Sequence, residues 1–212
     1  MLKINFLGDS ITEGACATKP ELCYVELVGS MLKCVSRNYG VSGTRIAKQI
    51  NKVVSWDYLD YQIRAHGMNN DADYVFVMGG VNDFGHGDAP LYGKDDHDPY
   101  SFSGGLHNLC RTLLEKYDRK KIAFILPLHC IDENPKYTQP ACKGKKYEDY
   151  LNILRNVCRE YGFDVLDFQN IFGMPEDNLP SDLYQDGLHP NDDGYRKIAA
   201  LIVQYINNYF KK

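Results

Sequence analysis

Apolar residues along the chain follow two patterns that alternate from one end to the other. Ile4, Phe6 and Leu7 make a short apolar run near the N-terminus, and 35–39 makes another. Residues 73–78, 122–126 and, more weakly, 163–168 repeat this character, with apolar residues in continuous runs rather than at every second position. Strands buried on both faces have that signature and belong to parallel sheets covered by helices. Between the runs the spacing changes to that of helices. Leu22, Val25, Val28, Met31 and Leu32 form one stripe. Leu106, Leu109, Cys110, Leu113, Leu114 and Tyr117 form a second, and Tyr150, Leu154, Val157, Cys158 and Tyr161 a third. All three keep the 3.6-residue period, and Gly162 is placed to stop the last of them. Pro190 introduces a final helix with Ile198, Ala199, Ile202 and Ile206 on one face. Residues 45–54 read as a short helix, 11–19 as loop, and 55–72 as polar sequence of weak periodicity. The alternation predicts a three-layer α/β/α sandwich around about five parallel strands. With no linker or repeat, residues 1–212 are expected to form one domain.

Four polar blocks interrupt this pattern. Gly8-Asp9-Ser10 ends the first apolar run, and Gly40-Val41-Ser42-Gly43-Thr44 follows the second. Gly79-Gly80-Val81-Asn82-Asp83 follows the third, and Asp186-Gly187-Leu188-His189-Pro190 precedes the final helix. Each block has an ordinary structural reading: Ser10 as a helix cap, Gly43 as a turn glycine, Asn82 as an Asx turn. A histidine with an aspartate three residues before it, together with a serine at a strand end, is also the residue set of nucleophilic acyl transfer.

With these blocks in order, the sequence resembles the SGNH (GDSL-type) hydrolase superfamily of esterases and lipases, from residue 3 to about residue 200. The family's four letters fall on Ser10, Gly43, Asn82 and His189. The resemblance implies a flavodoxin-like strand order 2-1-3-4-5. It implies Ser10 as nucleophile, His189 as base and Asp186 as the acid that orients it. The backbone N–H groups of Ser10 and Gly43 and the side-chain amide of Asn82 are then the oxyanion donors. The reaction implied is ester hydrolysis through an acyl-enzyme, with no metal and no cofactor. A thioesterase or lysophospholipase would use the same residues. A nucleotide-binding module of flavodoxin type, holding phosphate at Ser42-Gly43-Thr44, is the alternative from another class.

Composition narrows the partners. Asp and Glu number 28 against 24 Lys and Arg, a net charge of −4, and no basic tract is present that would track nucleic-acid phosphates. No apolar stretch approaches membrane-spanning length, and no signal segment is evident, so a cytoplasmic protein is expected. Seven scattered cysteines fit a reducing compartment, although Cys130 and Cys142 flank one loop and could bridge in an oxidising one. The run Asp95-Asp96-His97-Asp98 lacks metal-ligand spacing and reads as a solvated loop. The segments 84–100 and 129–146 leave strand ends on the edge expected to hold the site. Tyr92, Tyr100 and Tyr137 within them are candidate stacking surfaces for a sugar. The absence of a long apolar helix pair favours short acyl groups, such as acetyl, on a carbohydrate or other polar alcohol. Finally, His189 can meet Ser10 only if 169–185 runs back over the strand ends, which would bring the final helix near the one at 20–33.

Overall fold

The computed structural model describes residues 1–142, 144–175 and 180–209. Five parallel strands form one sheet: β1 (Lys3–Gly8), β2 (Val35–Gly40), β3 (Tyr74–Met78), β4 (Ile122–Ile125) and β5 (Asp164–Leu166). Their order is β2-β1-β3-β4-β5, as the resemblance implied. The register puts the strand ends in one row. Gly8 lies opposite both Gly40 and Met78, Met78 opposite Ile125, and Ile125 opposite Leu166. The segments leaving β1, β2 and β3 therefore emerge side by side.

Alternate residues of each central strand enter two different cores. Ile4, Phe6, Tyr74, Phe76, Met78, Ala123 and Ile125 face helices α2 (Tyr24–Leu32) and α8 (Asp192–Tyr209). Leu7, Val75, Val77, Ile122 and Phe124 face α3 (Tyr61–Gly67), α5 (Phe102–Lys116) and α6 (Tyr147–Tyr161). Both faces are covered, which is why β3 and β4 are apolar at every position. Three short helices complete the set: α1 (Ser10–Glu13), α4 (Val81–His86) and α7 (Gln169–Phe172).

Several boundaries depart from the sequence reading. Residues 45–54 form no helix; the chain there is extended and irregular, held by side chains from elsewhere. Asp83 accepts from the N–H groups of Ile46 and Ala47 at 3.0 Å each, and Asp88 from those of Ile50 and Asn51 at 2.8 and 2.7 Å. Backbone donors bonded to distant carboxylates are not available to a helical ladder. The helix of this region comes later, as α3, where Asp60 caps the N–H of Ile63 at 3.2 Å. The segment 11–19 begins with helix α1, and the stripe at 22–32 starts with a 3-10 turn at Pro20–Leu22 before α2. Gly162 ends α6 at φ 68°, as its position suggested.

After β5 the chain returns across the sheet. Gln169 in α7 donates to the carbonyl of Pro127, just beyond β4, at 3.0 Å. Residues 181–191 then fold into a small hairpin closed by the Tyr184–Pro190 bridge, and Ile131 N–H donates to Gly187 at 2.8 Å. Of the predicted crossing, 176–179 lie outside the described residues. The final helix does pack on α2, with Tyr24 and Tyr195 stacked at 6.5 Å between ring centroids.

Candidate active site

The row of strand ends is tied together by α3. Carbonyls at the ends of parallel strands run short of ladder partners and recruit side-chain donors. The guanidinium of Arg64 donates to the carbonyl of Gly8 at 2.9 Å and to that of Tyr39, and also to Thr44 Oγ1 at 2.7 Å. Tyr61 donates its hydroxyl to the carbonyl of Met78 at 2.9 Å. One short helix thus fixes the platform on which the first three polar blocks stand.

Ser10 is the first residue of α1, capped by Asp9, which accepts from the N–H of Ile11 at 3.1 Å. Full burial pushes the Asp9 carboxyl up to about 6 against that hydrogen bond and the nearby charges of His189 and Arg64. Glu13, one turn after the serine, accepts from both the N–H and the hydroxyl of Ser42. That carboxylate holds the second block against the first. Gly40 is required by the same contact, because a Cβ there would lie 2.2 Å from Glu13 N. Gly43 turns at φ +75°, and a Cβ on it would stand 3.0 Å from Cδ1 and Nε1 of Trp56, the chain's single tryptophan. The indole edge therefore lies against the Gly43 turn, and the sequence reading gave it no role. A carboxylate on Ser42 and no helix after Thr44 leave this turn unsuited to phosphate, against the nucleotide-binding alternative.

The fourth block is delivered by the 181–191 hairpin, with Gly187 at φ +85° in its tip. Asp186 Oδ1 accepts from the N–H of Leu188 at 3.0 Å and of His189 at 2.7 Å, leaving Oδ2 for the ring. His189 Nδ1 lies 2.7 Å from Asp186 Oδ2, and Nε2 lies 2.9 Å from Ser10 Oγ. Partial burial raises the Asp186 carboxyl, but the bonds from the His189 ring and from the two N–H groups outweigh it. The acid is held well below the usual carboxylate range. An ionised Asp186 accepts from Nδ1–H, so the lone pair on Nε2 faces the serine hydroxyl.

Asn82 lies in the first turn of α4, buried, and donates through Nδ2 to the carbonyl of Thr44 at 3.0 Å. It lines a cavity of about 400 Å³ with Val81, Phe84, Cys130, Pro140 and Leu188. The neighbouring Asp83 is pushed up to about 7, burial outweighing its bonds to Ala47 and Ile46 and the charge of Arg45. None of the tyrosines expected to stack on a sugar lines that cavity. Tyr92 lines a separate cleft with His107 and Glu160, and neither Tyr100 nor Tyr137 lines the cavity beside Asn82. The carboxylates of Asp95 and Asp98 bond the loop's own N–H groups at His97 and Tyr100.

One group of metal-capable side chains occurs among the described residues: Cys16, Asp186 and His189, with ligand atoms within 4.8 Å of one another. All three already share hydrogen bonds in the candidate site, for the Cys16 thiol donates to Asp186 Oδ2 at 3.7 Å and the His189 ring bonds the same oxygen. All seven cysteines are free, Cys130 and Cys142 included.

The sequence profile of the GDSL-like lipase/acylhydrolase family matches the chain over residues 6–197. The chain belongs to that family. As a family member it is a hydrolase of ester bonds, and solved structures agree on the fold. A structural-genomics target from Lactobacillus plantarum is 27% identical, with a TM-score of 0.79 and coverage of 98% of this chain and 97% of that one. A protein described as a possible lipase from Chitinophaga pinensis DSM 2588 is 18% identical, with a TM-score of 0.69 and full coverage of both chains, 100% each. A two-domain esterase active on acetylated mannans, co-crystallised with mannopentaose, is 20% identical with a TM-score of 0.61, covering 100% of this chain and 50% of that one. None of the curated proteins compared with the chain matches it. No helix of the described residues is long and apolar enough to cross a membrane.

Proposed function

We propose that this GDSL-family hydrolase is a serine esterase that works through an acyl-enzyme on Ser10. Its preferred substrates are short acyl esters, acetyl above all, of a carbohydrate or other polar alcohol. The observation that carries the mechanism is the continuous hydrogen-bonded line from Ser10 Oγ through the His189 ring to Asp186, at 2.9 and 2.7 Å. In the first half-reaction His189 Nε2 takes the proton of Ser10 as Oγ attacks the ester carbonyl carbon. The resulting imidazolium is stabilised by Asp186 and then gives its proton to the departing alcohol. Water deacylates the enzyme by the same route in reverse. The developing oxyanion is met by the main-chain N–H groups of Ser10 and Gly43 and by the amide of Asn82. Among the described residues, neither of those N–H groups is taken up by a turn or loop hydrogen bond.

Substrate size is supported by the cavity beside Asn82, whose volume of about 400 Å³ suits a compact group rather than a long lipid chain. The fold shared with the acetylmannan esterase is consistent with a sugar ester. The apolar lining from Val81, Phe84 and Leu188 favours a second reading, in which a medium acyl chain enters the same space. A series of p-nitrophenyl esters from acetyl to palmitoyl, run beside acetylated oligosaccharides and acyl-CoA, separates the two. Turnover is expected to be highest at the short end and to vanish in Ser10→Ala while that variant stays folded. Wild-type turnover by pure Ser10→Ala would remove the mechanism.

A further inference from the structure

We propose that Arg45 and His86 are positioning residues that fix which way the Asn82 side-chain amide points, an inference that rests on the esterase reading above. The hydrogen-bond polarity begins at a group that can only donate. A guanidinium has no acceptor, so the contact between Arg45 Nη2 and His86 Nδ1 must be a bond donated by the arginine. With Nδ1 accepting, a neutral His86 carries its proton on Nε2. That N–H faces Asn82 Oδ1 at 3.0 Å and donates to it. The oxygen of Asn82 is thereby held on the histidine side, and its nitrogen is turned to the carbonyl of Thr44 at 3.0 Å. One amide hydrogen remains, with no partner among the described residues, on a side chain that lines the cavity.

The polarity is anchored at its far end. Arg45 pairs with Asp57, both side chains buried, and Asp57 Oδ2 accepts from the N–H groups of Val53 and Val54 at 2.7 and 2.9 Å. Burial, followed by the charge of Arg45, pushes His86 down to about 4. The ring therefore stays neutral above that pH and keeps its one donor and one acceptor. A flipped Asn82 would place its oxygen against the carbonyl of Thr44 and leave the His86 N–H facing an N–H of the amide. Two acceptors on buried residues, Asn82 Oδ1 and the carbonyl of Thr44, would then face each other, which disfavours that state. A flipped amide would also set an acceptor, not a donor, where negative charge develops. His86 is four residues from Asn82 on α4, one helical turn away, so both ends of the contact ride on one element.

The test is a kinetic cycle with His86→Leu, His86→Gln and Asn82→Ala, using p-nitrophenyl acetate. The leucine removes the donor, whereas glutamine returns an N–H near the position of Nε2. His86→Leu is expected to lower kcat about tenfold or more with KM nearly unchanged, and His86→Gln to restore most of it. In the Asn82→Ala background, His86→Leu should have no further effect on kcat. Equal losses in both backgrounds, or a glutamine variant no better than leucine, would show a merely structural role and overturn the proposal. An unchanged kcat in His86→Leu would do the same while leaving the esterase reading intact. Should the wild type hydrolyse no ester, that reading fails separately and the tautomer decides the proposal. Long-range 1H–15N correlation spectra of the whole protein should show His86 as the Nε2–H form from pH 5 to 8. An Nδ1–H form, or titration within that range, would refute the assignment.

Discussion

Replacing Asp186 with asparagine should disable the enzyme while leaving its structure almost untouched, because of how the two carboxylate oxygens are used. Oδ1 accepts from the N–H groups of Leu188 and His189, and Oδ2 accepts from the ring at 2.7 Å. Asparagine has one oxygen to offer. Set toward the two N–H groups, it satisfies both, and the amide nitrogen then faces His189 Nδ1. That nitrogen donates, so Nδ1 becomes an acceptor and the ring proton moves to Nε2, pointing at Ser10 Oγ across 2.9 Å. The base then has no lone pair facing the hydroxyl. A wrong tautomer in a triad of this kind costs about 10⁴ in kcat. That is about 5.5 kcal/mol of barrier. The variant should still fold, since each backbone donor keeps its partner, and lose only the charge-assisted part of those bonds. The assay pairs p-nitrophenyl acetate turnover with urea unfolding of the same preparation. A folded Asp186→Asn enzyme within tenfold of the wild-type kcat would show that Asp186 does not set the tautomer.

Gly43→Ala should damage both fold and catalysis. The residue turns at φ +75°, which costs an L-amino acid about 1–2 kcal/mol, and the new Cβ meets Trp56 at 3.0 Å. Urea unfolding should report that loss and esterase kinetics a lower kcat; wild-type values for both would contradict the close packing. Asp83→Asn should change how stability depends on pH. Asp83 in the folded chain keeps its proton up to about pH 7, whereas an ordinary aspartate releases it near 3.8. The folded state thus binds more protons between those values, and its stability falls as pH rises through the window. Relative to Asp83→Asn, the wild type should lose up to about 1.4 kcal/mol per pH unit between pH 4.5 and 6.5. A constant difference between the two proteins would count against the buried neutral acid.

Much of this architecture was legible in the sequence, for reasons visible in particular residues. β3 could be seen because both of its faces are buried, and α6 because its stripe ends on a glycine in the left-handed region. The first three blocks could be located because each ends an apolar run, and the fourth because it precedes the last helical stripe. What escaped was the support behind them. Helix α3 is only seven residues long, too short to show a period, and its two structural donors, Tyr61 and Arg64, look like ordinary surface residues in the sequence. The supposed helix at 45–54 failed because its backbone donors belong to Asp83 and Asp88, partners more than thirty residues away. No local pattern encodes such bonds. The cap at Asp60 was the one local signal of the true helix, and the lone tryptophan was the one cue to the floor of the Gly43 turn. Strand order came from the family resemblance, since parallel strands of similar length carry no mark of their neighbours.

Trp56, half-exposed with its indole edge on the Gly43 turn, also gives the protein a built-in optical probe. Because the chain has no other tryptophan, emission excited at the red edge of indole absorption originates from one ring beside the proposed oxyanion donors. Occupancy of that cradle can be followed as a change in a single emission band, with no label attached and no chromogenic leaving group. In a Ser10→Ala background the same signal separates binding from turnover, so unmodified natural esters can be ranked by affinity alone.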